Sequence, residues 1–279
     1  MTVINTNVNS LAARNAINAN QRSLQTAMQS LSTGSRINRA SDDSAGISIR
    51  ENMTTQIKGF DAAVRNANDG ISLLQTADSA MEGMANLLQR MRELGVLAQN
   101  DTYSSSQRTA MEDEFTALLT EVDRIASDTQ WNGMAILDGA GGNLGGASTF
   151  SFQVGANSSQ TIEVIISDQS TGGALSAIAS STVASAASAA TAVSSLDSAI
   201  IALASSRSVV GAAVNRLTAA ADSATSMSEN ASASRSQVAD TDYATATSEL
   251  ARAQIIQQAA TAMLAQANQQ HSTVLALLR

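Results

Sequence analysis

No cysteine and no proline occur in this chain of 279 residues, and only 3% of its residues are aromatic. Without proline, nothing forces a helix to kink or removes a backbone donor, so long uninterrupted helices are permitted. Without cysteine there is no disulfide framework. So few aromatic residues exclude an ordinary compact globular core and favour thin helical bundles, in which small side chains let helices approach closely.

Groups suited to catalysis are equally scarce. The sequence holds one histidine, His271, and no glycine-rich loop that ends in Lys-Ser or Lys-Thr for binding phosphate. A zinc protease motif needs two helical histidines around a glutamate, and a zinc site usually takes three or four protein donors. His271 is therefore interpreted as a polar helix residue. The sequence predicts a protein that is not an enzyme and has no metal site and no cofactor.

The charge is negative overall but unevenly distributed. A net charge of −8 argues against general affinity for nucleic acid. Residues 1–41 and 250–279 contain arginines and no acidic residue, so any pairing of the two ends has to be driven by burial rather than by charge. The chain shows no run near the ~20 apolar residues of a membrane span, and its start lacks the pattern of a cleaved signal peptide.

Apolar residues that recur at alternating steps of three and four predict helices along most of the chain. The clearest pattern covers residues 53–91 and is interrupted at Asp78. A second long pattern covers 193–231, with Arg207 and Ser228 as its polar exceptions. Further helices are predicted over 1–33, 111–125 and 253–277.

Between the third and fourth helices the period changes to two. Residues 150–154 and 162–166 alternate apolar and polar side chains around a polar turn, which predicts a β-hairpin over about 148–167. The uncharged stretch 169–190, rich in Ala, Ser and Thr, is interpreted as a low-complexity connector. The predicted fold class is mainly α: an elongated helical bundle or coiled coil with a small hairpin, in which the N- and C-terminal helices pair.

A seam of apolar residues on the last helix requires a partner, and the first helix carries a similar stripe. Neither helix has a third element of its own to cover it, so we expect both to be disordered in the free monomer and to fold only against neighbouring copies of the chain. The residues predicted in this assembly core are Leu11, Ile17, Leu24, Leu31, Ile256, Met263, Val274 and Leu277.

Several stretches of the sequence closely resemble bacterial flagellin. They are "INTNVNSLAARNAINANQ", "LSTGSRINRASDDSAGISI", "LLQRMRELGVLAQN", "WNGMAILDG" and "DTDYATATSELARAQIIQQAATAMLAQANQ". The resemblance covers roughly residues 1–167 and 195–279, in the same order as the predicted helices. It implies a subunit that polymerises head to tail into the extracellular flagellar filament used for swimming.

The resemblance also implies a domain plan and a set of partners. Residues 1–40 with 240–279 would form the filament-core coiled coil, and 44–168 with 190–236 a rod-like domain. The connector 169–190 would replace the outer domains that many flagellins insert there. Export would follow the flagellar type III route without a cleaved signal peptide. The implied partners are many copies of the same chain, an export chaperone at the C-terminal end, and the cap and hook-junction proteins.

Two surface features have both a structural and a functional interpretation. The loop with Arg36, Arg39, Asp42 and Asp43 is either a solvated hinge, with Asp42 or Asp43 capping the second helix, or an intersubunit contact. A second set resembles the patch that a host Toll-like receptor reads on flagellin, and its structural interpretation is a solvated helix face. That set is Leu88, Gln89, Arg90, Glu93, Leu94 and Glu114.

Two alternatives to a filament subunit were considered. A hook–filament junction protein shares the same end helices, but the dense "RAQIIQQAATAMLAQANQ" match favours the filament subunit. A surface polysaccharide-binding adhesin needs an exposed aromatic or acidic groove, and the sequence indicates none.

Overall fold

The computed structural model describes residues 6–139 and 147–277, with side chains throughout these ranges except at residue 147 and residues 270–277. The helices are α1 (Val8–Thr33), α2 (Ser44–Ala98), α3 (Ser105–Asp128), α4 (Ala186–Ala239) and α5 (Tyr243–Leu277). The strands are β1 (Gln130–Trp131), β2 (Met134–Ala135), β3 (Ala147–Gln153) and β4 (Thr161–Ser167). They form two antiparallel pairs, β1–β2 and β3–β4. The mainly α fold class is confirmed.

These elements belong to two compact units. The terminal unit consists of residues 1–55 and 230–279, and the central unit consists of residues 56–229. The boundaries between the units fall inside α2 and α4.

Local sequence signals account for where the helices begin and end. The side chain of Asn7 accepts a hydrogen bond from the Ser10 N–H at the start of α1. Gly34 ends this helix at a φ of 68°, a left-handed conformation that glycine adopts without steric cost. A capping box formed by Ser104 and Gln107 begins α3. The predicted break between the second and third helices is therefore confirmed.

The central unit buries the predicted apolar stripes of α2, α3 and α4. Side-chain bonds show that α2 and α4 run antiparallel, because Arg92 binds Asp197 at 2.6 Å and Ser228 binds Asp61 at 2.9 Å. The buried residues of the three helices include Leu74, Met81, Met84, Leu88, Met91, Phe115, Val122, Leu196, Leu203 and Leu217.

The polar interruptions of the two long apolar patterns meet each other in the central unit. Arg207 Nε donates to Asp78 Oδ1 at 2.8 Å, and Arg207 Nη2 lies 3.4 Å from Glu82 Oε2. The hydrogen bond to Asp78 raises the pKa of Arg207. A charged pair at such positions favours one alignment of the helices, because a shifted alignment would set each charge against apolar side chains.

The β3–β4 hairpin covers part of the central core, and its predicted position is confirmed. Phe150 lies opposite Val164, and both are buried, whereas Ile165 is exposed on the other face. Helix α2 approaches the hairpin closely at Gly70. A Cβ atom at this position would lie 2.8 Å from Cδ1 of Phe152, so only glycine fits without movement.

Residues 169–190 pack against the central core, which their uncharged composition did not reveal. Leu175, Ile178 and Val183 are buried, and a 3-10 turn spans Ser176–Ile178. The N–H and the hydroxyl of Thr171 donate to the two carboxylate oxygens of Asp123 at 2.8 and 2.7 Å. Residues 169–185 therefore form a packed loop, and residues 186–190 begin α4; that this connector replaces outer domains stays a prediction.

Among the described residues, α4 alone is long and apolar enough to cross a membrane by length and composition, with a mean hydropathy of 1.4 over 18 residues. A core helix passes the same test. In the central unit α4 buries Leu196, Leu203, Val210 and Leu217, which is the pattern of a core helix.

Candidate assembly surface

In the terminal unit, α1 and α5 pack against each other as an antiparallel pair. Asn7 Nδ2 donates to the carbonyl oxygen of Ala267 at 3.2 Å, and Asn20 Nδ2 donates to that of Ala253 at 2.7 Å. Within the described ranges, no ion pair joins the two helices. The predicted pairing of the terminal helices is confirmed, and burial rather than charge holds them together.

Alanine and serine make up half of the seam between α1 and α5. Small residues let the two backbones approach closely enough for an asparagine amide on one helix to reach a carbonyl on the other. Every seam residue is buried or half-buried. The α1 side is Ser10, Ala13, Ile17, Asn20, Leu24, Ala27 and Leu31, and the α5 side is Ala246, Leu250, Ala253, Gln257, Ala260, Leu264 and Ala267.

The face of α5 that meets α1 differs from the one that spacing predicted. Ile256 and Met263 lie outside the seam, and their side chains are 43% and 65% exposed. Helix α5 has apolar residues on more than one face, so the alternation of three and four does not select one of them. Val274 and Leu277 lie outside the residues whose side chains are described. Burial of Ile256 and Met263 between subunits stays a prediction.

Large apolar side chains remain exposed on the pair after the helices have packed. We name this set the α1/α5 apolar surface. Full burial of one such side chain contributes about 1.5–3 kcal/mol, so each of them would be stabilised by contact with another apolar surface. The set is Val8, Leu11 and Met28 of α1 with Ile255, Ile256 and Met263 of α5.

The loop after α1 is tied through its backbone to the segment between α4 and α5. The Arg36 N–H donates to the carbonyl oxygen of Ala239 at 2.7 Å, and the Thr241 N–H donates to that of Gly34 at 3.0 Å. The two interruptions of helical structure therefore lie side by side.

Two side chains reinforce this connection. Ser35 Oγ donates to the carbonyl oxygen of Ala239 at 3.0 Å, and Arg36 Nη2 donates to that of Val238 at 2.7 Å. A cation is favoured at the C-terminal end of a helix, where carbonyl groups lack helical partners. We name the two backbone bonds and these two side-chain bonds the clasp.

The other residues of the predicted intersubunit loop also act within the chain. Asp42 Oδ2 accepts hydrogen bonds from the N–H groups of Arg39 and Asn38 at 2.9 and 3.1 Å, and these bonds lower the pKa of Asp42. Asp43 Oδ1 accepts from the Gly46 N–H at 2.8 Å, so Asp43 is the residue that caps α2. The guanidinium of Arg39 makes no hydrogen bond within the described residues.

Asp242 caps α5 in the same way. Its Oδ2 accepts from the Thr245 hydroxyl at 2.9 Å, and its Oδ1 accepts from the Ala244 N–H at 2.9 Å. These bonds, the hydroxyl first, lower the pKa of Asp242. The carboxylate also lies at the positive end of the helix dipole.

The six residues predicted as a receptor patch separate into two groups. Leu88 and Leu94 are buried in the central core, so they do not belong to an exposed face. Arg90 binds Glu114 at 2.9 Å and Glu93 at 3.0 Å, and the hydrogen bond to Glu114 is the main cause that raises the pKa of Arg90. The exposed group is Gln89, Arg90, Glu93 and Glu114.

Sequence reasoning missed two groups of functional side chains. Asn20 stands between Ile17 and Leu24 in the α1 stripe, and a polar residue in an apolar stripe was the available signal. Nothing local marked Ser35 and Arg36 as partners of the α4 end, because that contact joins segments 204 and 202 residues apart. Within the described residues, no cluster of His, Cys, Asp and Glu is placed to hold a metal ion.

Comparison with known proteins agrees with this architecture. The N-terminal helical region of bacterial flagellin matches residues 4–141, and its C-terminal helical region matches residues 193–278. A flagellin of Halalkalibacterium halodurans is 40% identical over 99% of this chain and 100% of its own length. A flagellar filament 30.7 kDa core protein of Treponema maltophilum is 37% identical over 99% of each chain.

One solved structure shares the fold of this chain at low sequence identity. A protein of Vibrio parahaemolyticus, named provisionally as a flagellar hook-associated protein, matches 71% of this chain and 100% of its own with a TM-score of 0.58. At 10% identity this match shows the shared fold alone. The relatives with high identity are filament proteins, so the hook–filament junction alternative is not favoured. The chain belongs to the bacterial flagellin family, a family of structural proteins, and is a subunit of the extracellular flagellar filament.

Proposed function

We propose that neighbouring subunits contact each other through the α1/α5 apolar surface, and that the α1–α5 pair forms the filament core. The observation that carries this proposal is the exposure of Ile255, Ile256 and Met263 on a helix whose opposite face is already covered by α1. When one patch of a subunit binds a different patch of the next, identical subunits form an open helical polymer.

The α1–α5 pair also offers a place for such side chains to bind. A groove of about 620 Å³ lies between the two helices and is lined by Ala12, Ala13, Ala16, Ala260 and other residues. Because alanine side chains are short, the groove leaves room for a larger apolar side chain of another subunit. Where the structure describes side chains on α1 and α5, no ion pair joins the two helices, which is in keeping with association by burial.

The central unit supplies the part of the subunit outside this core. We propose that residues 1–40 with 240–279 form the core domain, and that 44–168 with 190–236 form the rod-like domain. The segment 169–190 stands in place of large outer domains. Large density beyond this segment in a filament map, other than glycan, would contradict the assignment.

Export and the minor partners are proposed on family membership alone. The subunit is expected to leave the cell by the flagellar type III route without a cleaved signal peptide. An export chaperone would bind its C-terminal end, and the cap and hook-junction proteins would contact the growing filament.

Recognition by a host Toll-like receptor also stays a proposal, restricted to the exposed group Gln89, Arg90, Glu93 and Glu114. Arg90 is held between two carboxylates, which keeps its guanidinium in one place on the surface of α2 and α3. Arg90→Ala should reduce receptor signalling by the purified monomer without loss of helical content. Unchanged signalling, or no signalling by the parent chain, would contradict the assignment.

The assembly proposal is tested by charge on the exposed apolar face of α5. Ile256→Asp with Met263→Asp places two unpaired charges in the proposed contact, at a cost of several kcal/mol per subunit. Both side chains are exposed in the single chain, so the monomer should keep its fold while polymerisation fails. Sedimentation and negative-stain microscopy measure assembly, and circular dichroism measures the fold.

The matched control places the same two charges on a polar stripe of the same helix. Gln254 and Gln258 are exposed, and Gln254→Asp with Gln258→Asp should leave assembly largely intact. Normal filaments from the Ile256/Met263 variant would refute the proposal. Equal failure of both variants would show that added charge, rather than loss of the apolar face, prevents assembly.

A further inference from the structure

We infer that the clasp sets the axial register of α1 against α5, and so determines which apolar side chains each subunit presents together. This role is distinct from the proposed subunit contact, because it concerns the single chain and can be measured without polymerisation. The inference depends on three features of the terminal unit: a repetitive seam, asparagines that bind backbone carbonyls, and a non-repeating connection at one end.

The seam cannot define a register by itself, because the α5 side repeats every seven residues. One seam position of the heptad is always alanine, and the other is leucine, glutamine and leucine in turn. A shift of α1 by one heptad therefore again sets alanine at the alanine positions and only exchanges leucine and glutamine at the other position, so the seam distinguishes the two registers weakly. Helix α5 continues past Ala267 to Leu277, so a shift in that direction leaves α1 with a partner along its length. The alanine positions are Ala246, Ala253, Ala260 and Ala267.

The two asparagines cannot define a register either. Asn20 and Asn7 donate to backbone carbonyls of α5, and every residue of a helix has such a carbonyl. After a shift of one heptad, Asn20 would meet the carbonyl of Ala260 in place of that of Ala253. The asparagines therefore stabilise contact between the helices without selecting one alignment.

The clasp does select one alignment, because its partners occur once. Arg36 and Ser35 bind the last carbonyls of α4, and the Thr241 N–H binds Gly34 in its left-handed conformation. A shift of seven residues moves the helices by roughly 10 Å relative to each other. All four bonds of the clasp would then be broken, since hydrogen bonds do not extend beyond about 3.5 Å.

A fixed register has a direct consequence for assembly. The exposed residues of α1 and α5 form one surface only if their relative positions are the same in every copy. A helical polymer repeats identical contacts, so subunits in different registers could not occupy equivalent positions. The clasp thus gives the α1–α5 pair the same register in every copy of the chain.

Disulfide trapping in the dilute monomer tests this inference, and the chain has no cysteine of its own. Ala13 and Ala260 line the same groove, midway between the two asparagine contacts, so Ala13→Cys with Ala260→Cys reports the observed register. Ala13→Cys with Ala267→Cys reports a shift of one heptad, because disulfides require Cα atoms within about 7 Å. Mass spectrometry of the non-reduced monomer band measures the intrachain bond.

With the clasp intact, the cysteine pair at positions 13 and 260 should form its disulfide at least about tenfold faster than the pair at positions 13 and 267. The reason is that each hydrogen bond of the clasp stabilises the observed register and not the shifted one. Ser35→Ala with Arg36→Ala removes both side-chain bonds and should reduce this ratio by about tenfold. The control Arg22→Ala with Ser23→Ala also removes one arginine and one serine; both line a groove beside α5, but Ser23 donates its hydroxyl to Ala19 of its own helix, and neither residue belongs to the clasp. This control should keep the ratio.

Each remaining outcome overturns the inference. An unchanged ratio in the Ser35/Arg36 variant would show that the seam or the asparagines set the register. Equal rates for the two pairs in the parent chain would show that the clasp does not set it in the monomer. If the Arg22/Ser23 control also lowered the ratio of the two disulfide rates, the loss of any arginine and serine from this region, rather than the loss of the clasp, would explain the result. Polymerisation of the Ile256/Met263 variant is a separate measurement, so failure of one proposal leaves the other intact.

Discussion

Two glycines of α2 offer the same substitution with opposite expected results. Alanine is more favourable than glycine in a helix interior by about 0.8–1.0 kcal/mol. A Cβ at Gly83 would meet nothing within 4 Å, so Gly83→Ala should raise the free energy of unfolding by nearly that amount. A Cβ at Gly95 would lie 2.8 Å from Cγ2 of Val193 on α4, well inside the optimal carbon–carbon separation of about 3.5–4.0 Å.

Relief of this overlap has to come from the backbone. Valine in a helix has one strongly preferred χ1 rotamer, so Val193 cannot rotate away at low cost. Overpacking of this kind costs about 1–3 kcal/mol. Set against the gain in helix propensity, Gly95→Ala should be neutral to about 2 kcal/mol destabilising, and less stable than Gly83→Ala by about 1–3 kcal/mol.

Urea unfolding followed by fluorescence of Trp131 measures both variants, because this residue lies in the central unit and is the one tryptophan of the chain. Removing the overlap provides the control. In a Val193→Ala background, Gly95→Ala should stabilise by about the full helix propensity. If Gly95→Ala stabilises the parent chain as much as Gly83→Ala does, close packing of α4 on Gly95 is refuted.

Three further results are expected. The pKa values of Asp42 and Asp242 are lowered, so the stability that their hydrogen bonds contribute is fully present above about pH 4 and is lost as the pH falls through the lowered values. Asp→Asn at both positions should flatten this loss of stability in an acid titration followed by circular dichroism. An unchanged titration profile would show that the two carboxylates do not contribute to acid stability. In the dilute monomer, α1 and α5 should exchange amide hydrogens faster than α2, because half of their seam residues are only alanine or serine, and equal protection would contradict this. Arg207→Leu should lower the free energy of unfolding by at most about 1 kcal/mol, because the ion pair with Asp78 is partly exposed. Addition of Asp78→Leu should restore that stability. If the two effects are strictly additive in a double-mutant cycle measured by urea unfolding, Arg207 and Asp78 are not coupled.

Much of this fold follows from the sequence. The long patterns of α2 and α4 are interrupted at Asp78 and Arg207, and the structure pairs these two residues with each other. The change of period marks the hairpin, and Ser, Gly and Asp mark the loops. These signals are local or strictly periodic, so a helix or strand expresses them whatever its neighbours are.

The candidate site depended more heavily on tertiary structure. Spacing predicts Ile256 between the seam alanines of α5, whereas Gln257 takes that place and Ile256 stays exposed in the single chain. Leu88 and Leu94 were grouped with their charged neighbours, although both are core residues. Short alanine side chains let α1 approach closely on one face of α5, and periodicity does not distinguish that face from a more apolar one.

The sequence by itself determined the helices, the hairpin and the pairing of two ends that lack opposite charge. Tertiary structure alone decided which face of α5 is covered, that residues 169–190 pack on the central core, and that Ser35 and Arg36 bind the end of α4. The physical reason is the range of the interactions. Helix propensity, capping and periodic burial act within a few turns of one segment, whereas close packing and the clasp arise between segments far apart in the chain, where several apolar faces offer similar burial and geometry selects among them.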